Sequence, residues 1–358
     1  MLASLALTLC ACQKAEKIVR SYGEPGKIPT YMARLFPDTE GDTKYAFLLR
    51  RYDQIDSAIA TADGFDGEFT TVYSLPNGVI TYELTAKEGL IAFYEVTTYN
   101  DGSVNYALKV IDTNNGNKVH SPYKKTVADD NDIQTRFIVI YDNSVYYLTK
   151  SNLLGRCRVM KYSVPDKELT EYLSFDFTDD EKTAGNSCTF ISENSGYLSC
   201  GTVEGNRTTL KTYDLKTGKL EREQPLPYNA EFVYMADHDY RSGMYVIYYM
   251  SAQGDERIAT VPYSGSDVLD LMKLGKSEYV SREEVRIEPD GIHVYFELQN
   301  MDETDPHNQF TGVRINSVAV EKEKYGGCIL MIGQDEEAFG LCFDEEQGYE
   351  KMILKKLR

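Results

Sequence analysis

Short apolar strands separated by polar turns recur along the chain, and one pairing of turn and strand returns seven times. Gly41-Asp42-Thr43 leads into KYAFLL, Lys87-Glu88-Gly89 into LIAFYE, Asp142-Asn143-Ser144 into VYYL, and Asn194-Ser195-Gly196 into YLSC. The series continues with Arg241-Ser242-Gly243 before MYVIYY, Pro289-Asp290-Gly291 before IHVYFE, and Asp335-Glu336-Glu337 before AFGLCF. Counted from Lys44, Leu90, Val145, Tyr197, Met244, Ile292 and Ala338, the steps are about 46 to 55 residues. A further strand and turn follows each variable loop: TTVYSLPNG (70–78), ALKVIDTNNG (107–116), RVMKYSVPDK (158–167), LKTYDLKTGK (210–219), IATVPYSGSD (258–267) and VRINSVAVEK (313–322). Alternating apolar and polar positions closed by Asn-Gly, Thr-Gly, Pro-Asp or Ser-Gly are the mark of strands and turns.

The remaining apolar runs, such as FIVIY (137–141) and MYVIYYM (244–250), have strand length rather than helix length. The 28 tyrosines suit half-buried pleated surfaces, and no helix is expected after Pro25. A four-stranded unit repeated at this spacing predicts an all-β, seven-bladed β-propeller, with six or eight blades as the neighbouring counts that uneven repeats allow. A ring of repeats forms one domain at any such length, so residues 26–358 are expected to be one unit. Its closure is expected from a segment before about Phe36 that joins a C-terminal strand near residues 352–357.

In such a ring the loops between the second and third strands of each blade gather at one end. Two of them, over 50–68 and 299–310, are longer than the short loop over 203–208. Long loops on a rigid frame are where binding groups reside, which singles out Arg51, Tyr52, Asp53, Asp56, Asp302, Asp305 and His307 as the candidate ligand or partner site.

Charge narrows the partners. With 56 acidic against 38 basic residues the net charge is −18, which repels nucleic acid. Catalytic constellations are sparse. His120, His238, His293 and His307 stand in no HExxH or HxH arrangement, and Tyr263-Ser264-Gly265-Ser266-Asp267 falls where the repeat demands a turn rather than a nucleophile elbow. Asp129-Asp130-Asn131-Asp132, Asp176 with Asp179-Asp180-Glu181, and Asp302-Glu303 with Asp305 are acidic, but none has the spacing of a calcium loop, and solvated turns are the preferred reading. No cofactor, no metal and no catalytic residue is expected. Cysteines flank two hairpins, Cys188 with Cys200 and Cys328 with Cys342; packed free thiols are preferred to cross-strand disulfides.

At the N-terminus, residues 2–9 are apolar but too few to span a bilayer, and they run into Leu9-Cys10-Ala11-Cys12 followed by polar QKAEK. This resembles the lipobox of bacterial lipoproteins, which implies a signal peptide over 1–12, lipidation of Cys12, a tether over 13–25, and a monomer held outward on the cell membrane. The basic n-region of such signals is missing here. Glu288-Pro289-Asp290-Gly291-Ile292-His293-Val294-Tyr295-Phe296 and Thr212-Tyr213-Asp214-Leu215-Lys216-Thr217-Gly218-Lys219 are similar to the repeat motifs of bacterial lipoprotein β-propellers of the TolB-like and related groups. That resemblance implies a surface-anchored module that binds a protein, peptide or glycan; the alternative is a propeller hydrolase or lyase acting on extracellular polysaccharide or peptide.

Overall fold

The computed structural model describes residues 17–22, 28–36, 44–50, 56–64, 67–127, 133–151, 156–176, 188–204, 207–226, 230–239, 243–265, 267–288, 291–304, 310–316, 321–326, 328–332, 338–344 and 348–356. These form strands throughout, interrupted by one 3-10 turn, Thr113–Asn115. After β1 (Lys17–Tyr22), the first sheet is β2 (Ile28–Phe36), β3 (Lys44–Arg50), β4 (Asp56–Asp63) and β5 (Thr70–Ser74). The second is β6 (Val79–Lys87), β7 (Leu90–Thr98), β8 (Val104–Asp112) and β9 (Lys118–Val127), and the third is β10 (Ile133–Tyr141), β11 (Ser144–Ser151), β12 (Arg156–Ser163) and β13 (Glu168–Asp176). The fourth holds β14 (Cys188–Asn194), β15 (Tyr197–Glu204), β16 (Arg207–Asp214) and β17 (Leu220–Pro225), and the fifth β18 (Ala230–Asp239), β19 (Met244–Ser251), β20 (Glu256–Pro262) and β21 (Leu269–Lys273). The sixth comprises β22 (Glu278–Glu288), β23 (Gly291–Asn300), β24 (Phe310–Asn316) and β25 (Glu321–Gly326), followed by β26 (Cys328–Ile332), β27 (Ala338–Asp344) and β28 (Gly348–Lys356).

Each of the first six sheets pairs its strands antiparallel in chain order. The seventh is built from both ends of the chain, in the order β26-β27-β28-β1, with Lys17 opposite Lys356 and Tyr22 opposite Met352. This N-to-C pairing is the one expected near residues 352–357. It also places Lys17–Tyr22 in a sheet.

The second strands read as unbroken apolar runs because both their faces are covered. Ile91 and Phe93 of β7 pack with Leu35, Ala46 and Ile59 of the first sheet, while Leu90, Ala92, Tyr94 and Val96 pack with Ile138, Val145 and Tyr147 of the third. The same sandwiching joins the third sheet to the fourth through Tyr146, Val159, Ile191 and Leu198, and the fifth to the sixth through Val246, Ile258, Val280 and Val313. Each such valine, leucine, isoleucine or phenylalanine contributes about 1.5–3 kcal/mol by leaving water.

Three hairpins turn through two left-handed residues: Glu88-Gly89, Asp142-Asn143 and Ser195-Gly196, with φ between 48° and 86°. Those are type I′ turns, whose twist matches that of the strands they join. The carbonyl of each second turn residue then accepts a bond from the far end of the third strand: Thr113 N–H to Gly89 (2.9 Å), Val164 to Asn143 (3.1 Å) and Leu215 to Gly196 (3.0 Å). At the other end a buried leucine just past the fourth strand donates to the start of the third, Leu75 to Ser57 (3.0 Å), Leu226 to Thr208 (2.8 Å) and Leu274 to Glu256 (2.9 Å).

One expectation changes. The segment 70–78 is not the third strand of its sheet; β5 is the fourth, and the third is β4, which lies inside the span 50–68 expected to be a long loop. Cys200 stands opposite Ile191 and Cys188 opposite Thr202, so this pair is not cross-strand, and Cys200 is a buried free thiol. Cys328 and Cys342 do stand opposite each other in backbone register.

Gly196 tests the turn geometry. Its φ is +86°, and a Cβ there would lie 3.0 Å from the Tyr141 hydroxyl and 3.2 Å from the ring. Gly196→Ala is expected to cost about 1–3 kcal/mol in urea denaturation; an unchanged midpoint would contradict a left-handed residue packed on Tyr141.

Candidate functional site

Of the residues singled out from sequence, Cys12, Arg51, Tyr52, Asp53, Asp305 and His307 lie outside the described residues. Asp56 begins β4, opposite Arg50. Asp302 lies just beyond β23, where its carboxylate accepts the Ser277 hydroxyl and its N–H donates to Asn300 Oδ1 at 3.1 Å. With the Met301 N–H on the Ser277 carbonyl at 2.8 Å, Asp302 helps tie the β23–β24 connection to the one entering the sixth sheet. Asp56 begins a strand of the first sheet and Asp302 follows a strand of the sixth, and no described contact brings them together.

A different site emerges on the first strands. In β2, β6, β10, β14, β18 and β22 the pairing with the second strand slips by a bulge, and most successive first strands pack on one another. A bulge re-aims side chains. In β6 the slip falls between Tyr82 and Thr85 with Glu83 at φ 56°, and in β10 between Arg136 and Ile138 with Phe137 at φ 58°. Left-handed residues other than glycine are costly, and a bulky one such as phenylalanine especially so; they cluster where a strand serves a purpose besides pairing.

Ahead of the β6 bulge, Ile80 and Tyr82 are 42% and 51% exposed, although they lie on the first strand of a sheet buried on both sides. Directly opposed residues in antiparallel strands share a face. Tyr82 therefore heads a row across the second sheet, Tyr82–Tyr94–Leu108–Tyr123, and Ile80 heads the next, Ile80–Val96–Tyr106–Lys125. Both rows look toward the third sheet, where Tyr147 meets Tyr94 edge-on at 6.4 Å and Tyr123 at 5.6 Å between ring centroids. The Tyr94 and Tyr147 hydroxyls are fully buried and have no hydrogen-bond partner. Burial, then the neighbouring phenols of Tyr147 and Tyr123 and the Glu83 carboxylate, hold the Tyr94 phenol far above its ordinary pKa; burial pushes Tyr123 up to about 12. These groups stay neutral and offer O–H donors and ring faces.

Further out in the same interface, His120 Nδ1 meets the Tyr162 hydroxyl at 2.8 Å while Nε2 is buried without a partner. Burial and then the Lys118 charge lower its pKa, so the imidazole is kept neutral. At the opposite end of the first strands, Lys87 Nζ reaches Glu193 Oε2 at 2.6 Å and passes 5.9 Å from the centre of the Tyr141 ring, and Glu88 accepts the Asn143 N–H at 3.0 Å. That end of the second, third and fourth sheets is cross-tied; the end bearing Ile80 and Tyr82 presents apolar surface. Among the described residues no group of three or more His, Cys, Asp or Glu converges as a metal site. The phase of VITYELTAK, with Ile80 and Tyr82 in step and Leu84 still apolar after the slip, is the one trace of this site in the sequence.

No protein-family description and no curated protein matches the chain. Similar solved structures share its fold at low identity. A chain in a crystal structure of the mitotic checkpoint complex superposes with a TM-score of 0.53 at 10% identity, covering 100% of this chain and 99% of that one. The Dos1 propeller gives 0.50 at 9%, covering 96% and 95%. The fold is that of a β-propeller.

The orphaned hydroxyls set a stability test. Removing an unsatisfied buried hydroxyl relieves a desolvation cost, so Tyr94→Phe is expected to leave stability unchanged or raise it, whereas Tyr162→Phe strips His120 of its partner and costs about 1–3 kcal/mol. Urea denaturation at neutral pH checks the pair; equal losses would mean that the Tyr94 hydroxyl is bonded.

Proposed function

We propose that the chain is a seven-bladed β-propeller held on the outer face of a bacterial cell membrane through a lipid on Cys12, and that it works as a binding or protein-interaction module. Seven four-stranded sheets follow one another in chain order, β1 pairs with β28, and β26 packs on β2, which supports a ring with each sheet as one blade. The single observation that carries the binding reading is the edge of the second sheet that faces the third: Ile80 and Tyr82 are exposed on a first strand, next to two buried hydroxyls without partners. Tyrosine supplies contact area on a stiff side chain with a polar tip, which suits recognition. Arg51, Tyr52, Asp53, Asp56, Asp302, Asp305 and His307 are proposed as further members of the ligand or partner site.

Two experiments test the reading. Partner retention by the immobilised chain, followed by cross-linking in extracts of the source cell, is expected to fall at least about tenfold for Ile80→Ser/Tyr82→Ala with an unchanged melting temperature, because exposed positions carry little folding energy; undiminished retention would move the site elsewhere. Cys12→Ser is expected to shift the protein from the membrane fraction to the soluble one or to leave an unprocessed precursor, and unaltered partitioning would remove the anchor.

A further inference from the structure

Among the described residues, half of the large apolar side chains that stand exposed recur at one place. Val119 in β9, Leu169 in β13, Leu220 in β17 and Leu269 in β21 are 38–51% exposed, and each is the first or second residue of the fourth strand of its sheet. Three of them end equivalent rows: Ile91–Ile111–Val119, Val145–Tyr162–Leu169 and Leu198–Tyr213–Leu220, in which the second-strand member is fully buried. Exposed lysines, Lys118, Lys167 and Lys219, stand one or two residues ahead of these three. One exposed aliphatic residue is unremarkable; four at matching positions in successive sheets are a pattern.

The four share one end of the molecule. The turn into each fourth strand is bonded to the first hairpin of its own sheet, through Thr113 on Gly89, Val164 on Asn143, Leu215 on Gly196 and Tyr263 on Gly243. Those ends are tied from sheet to sheet by Gly89 N–H on the Leu35 carbonyl (3.2 Å), Glu88 on Asn143, Lys87 on Glu193, and Arg222 on the Tyr263 carbonyl (2.7 Å). The N-terminal strand enters the seventh sheet at the corresponding end: Lys17 lies opposite Lys356, and Lys356 opposite Phe339, the second residue of β27. In the ring proposed above this is the same end. Cys12 precedes Lys17 by five residues, so a lipid on Cys12 reaches no further than about 17 Å from it.

We propose that this end rests on the phospholipid surface, with Val119, Leu169, Leu220 and Leu269 in its interfacial layer, so that the end bearing Ile80 and Tyr82 is turned away from the membrane. This rests on the lipid anchor at Cys12 and adds an orientation to it. A short tether keeps the protein at the surface, so contacts too weak to bind a free chain form at high local concentration. Each neighbouring lysine lays its methylene stem on apolar surface and keeps its ammonium among the head groups. Charge is not the driver, because Asp112, Asp166, Glu168, Asp214 and Glu221 flank the same turns and the net charge is −18. The contact is therefore apolar. Sites spaced one per sheet around an outer edge are met together by an extended surface, whereas a globular partner would cover only one or two.

The chain has no tryptophan, so one introduced at a time reports its own surroundings. Val119→Trp, Leu169→Trp and Leu220→Trp are made at this end, and Tyr99→Trp in the exposed β7–β8 turn at the other. Each full chain, purified with its lipid, is reconstituted into phosphatidylcholine vesicles with and without brominated acyl chains. Tryptophan at 119, 169 and 220 is expected to emit at shorter wavelength than in the same variant carrying Cys12→Ser, free in solution, and to lose at least about half of its emission to bromine. Tyr99→Trp should lose none, and high salt should leave the contrast unchanged. A variant that melts early is set aside and the other two positions decide. Unquenched emission at the rim in protein that floats with the vesicles overturns the orientation and leaves the anchor standing, as does equal quenching at Tyr99→Trp. A blue shift in the soluble Cys12→Ser chain that grows with protein concentration would assign the rim to a second copy and overturn the proposal. Protein that does not float with vesicles at all removes the anchor, and the orientation falls with it.

Discussion

Face-to-face packing between successive four-stranded sheets is the constraint on which the rest of this molecule depends. A sheet of four short strands is marginal alone; it becomes stable by covering both faces. Here Ile91 and Phe93 look one way and Leu90, Ala92, Tyr94 and Val96 the other, so one strand serves two interfaces. Such packing fixes register tightly, because a one-residue slip would exchange the two sets without exposing either, yet would misfit every neighbour. The paired left-handed turns at Glu88-Gly89, Asp142-Asn143 and Ser195-Gly196 pin that register at one end, and the leucines Leu75, Leu226 and Leu274 pin it at the other.

Sheets arranged side by side meet most closely at their first strands, and regular pairing there conflicts with close approach. The bulges in six of the first strands resolve the conflict by letting side chains turn away from the ladder. Two of them do so through left-handed Glu83 and Phe137, at a local cost that the surrounding packing must hold in place. The same device that allows the sheets to assemble thus frees Ile80 and Tyr82 from the core. Packing and the candidate site are two results of one backbone irregularity.

How much of this is legible in the sequence follows from which interactions are local. The seven second strands were readable, each starting within a residue of the position counted from its turn, because a polar turn followed by an apolar run leaves a contiguous signal. The third strand of the first sheet was not: DSAIATAD has weak apolar character and small residues, so TTVYS after it carried the stronger pattern and drew the assignment one strand too far. The Leu-Pro-Asn-Gly, Leu-Pro-Tyr-Asn and Leu-Gly-Lys-Ser segments at 75–78, 226–229 and 274–277 would have corrected it, since Leu75 marks the end of a fourth strand just as Leu226 and Leu274 do. The tyrosine cluster was hidden for another reason. Tyr82, Tyr94, Tyr123 and Tyr147 are far apart in the chain and look like ordinary strand tyrosines; only cross-strand register and the facing of two sheets put them in one place.

The interface between the second and third sheets gathers several buried polar atoms without partners. Elsewhere Ser199 and Thr212 bond at 2.9 Å and Tyr249 donates to Asp270 at 2.7 Å within their sheets, and Tyr73 donates to Glu95 at 2.5 Å from the first sheet to the second, whereas Thr208 Oγ1 in the fourth sheet has no partner. Between the second and third sheets the Tyr94 and Tyr147 hydroxyls and His120 Nε2 have no such partner. An unmade bond at a buried hydroxyl costs about 1–3 kcal/mol, and phenylalanine would fill nearly the same volume without that cost. Stability alone gives no reason for tyrosine at two adjoining positions. A group that sometimes receives a partner from outside gives one, and the route inward runs past Tyr82, the one residue of its row that solvent reaches freely from the inner edge of the sheet. The binding role proposed above would account for the exposed residue and the unsatisfied ones behind it together.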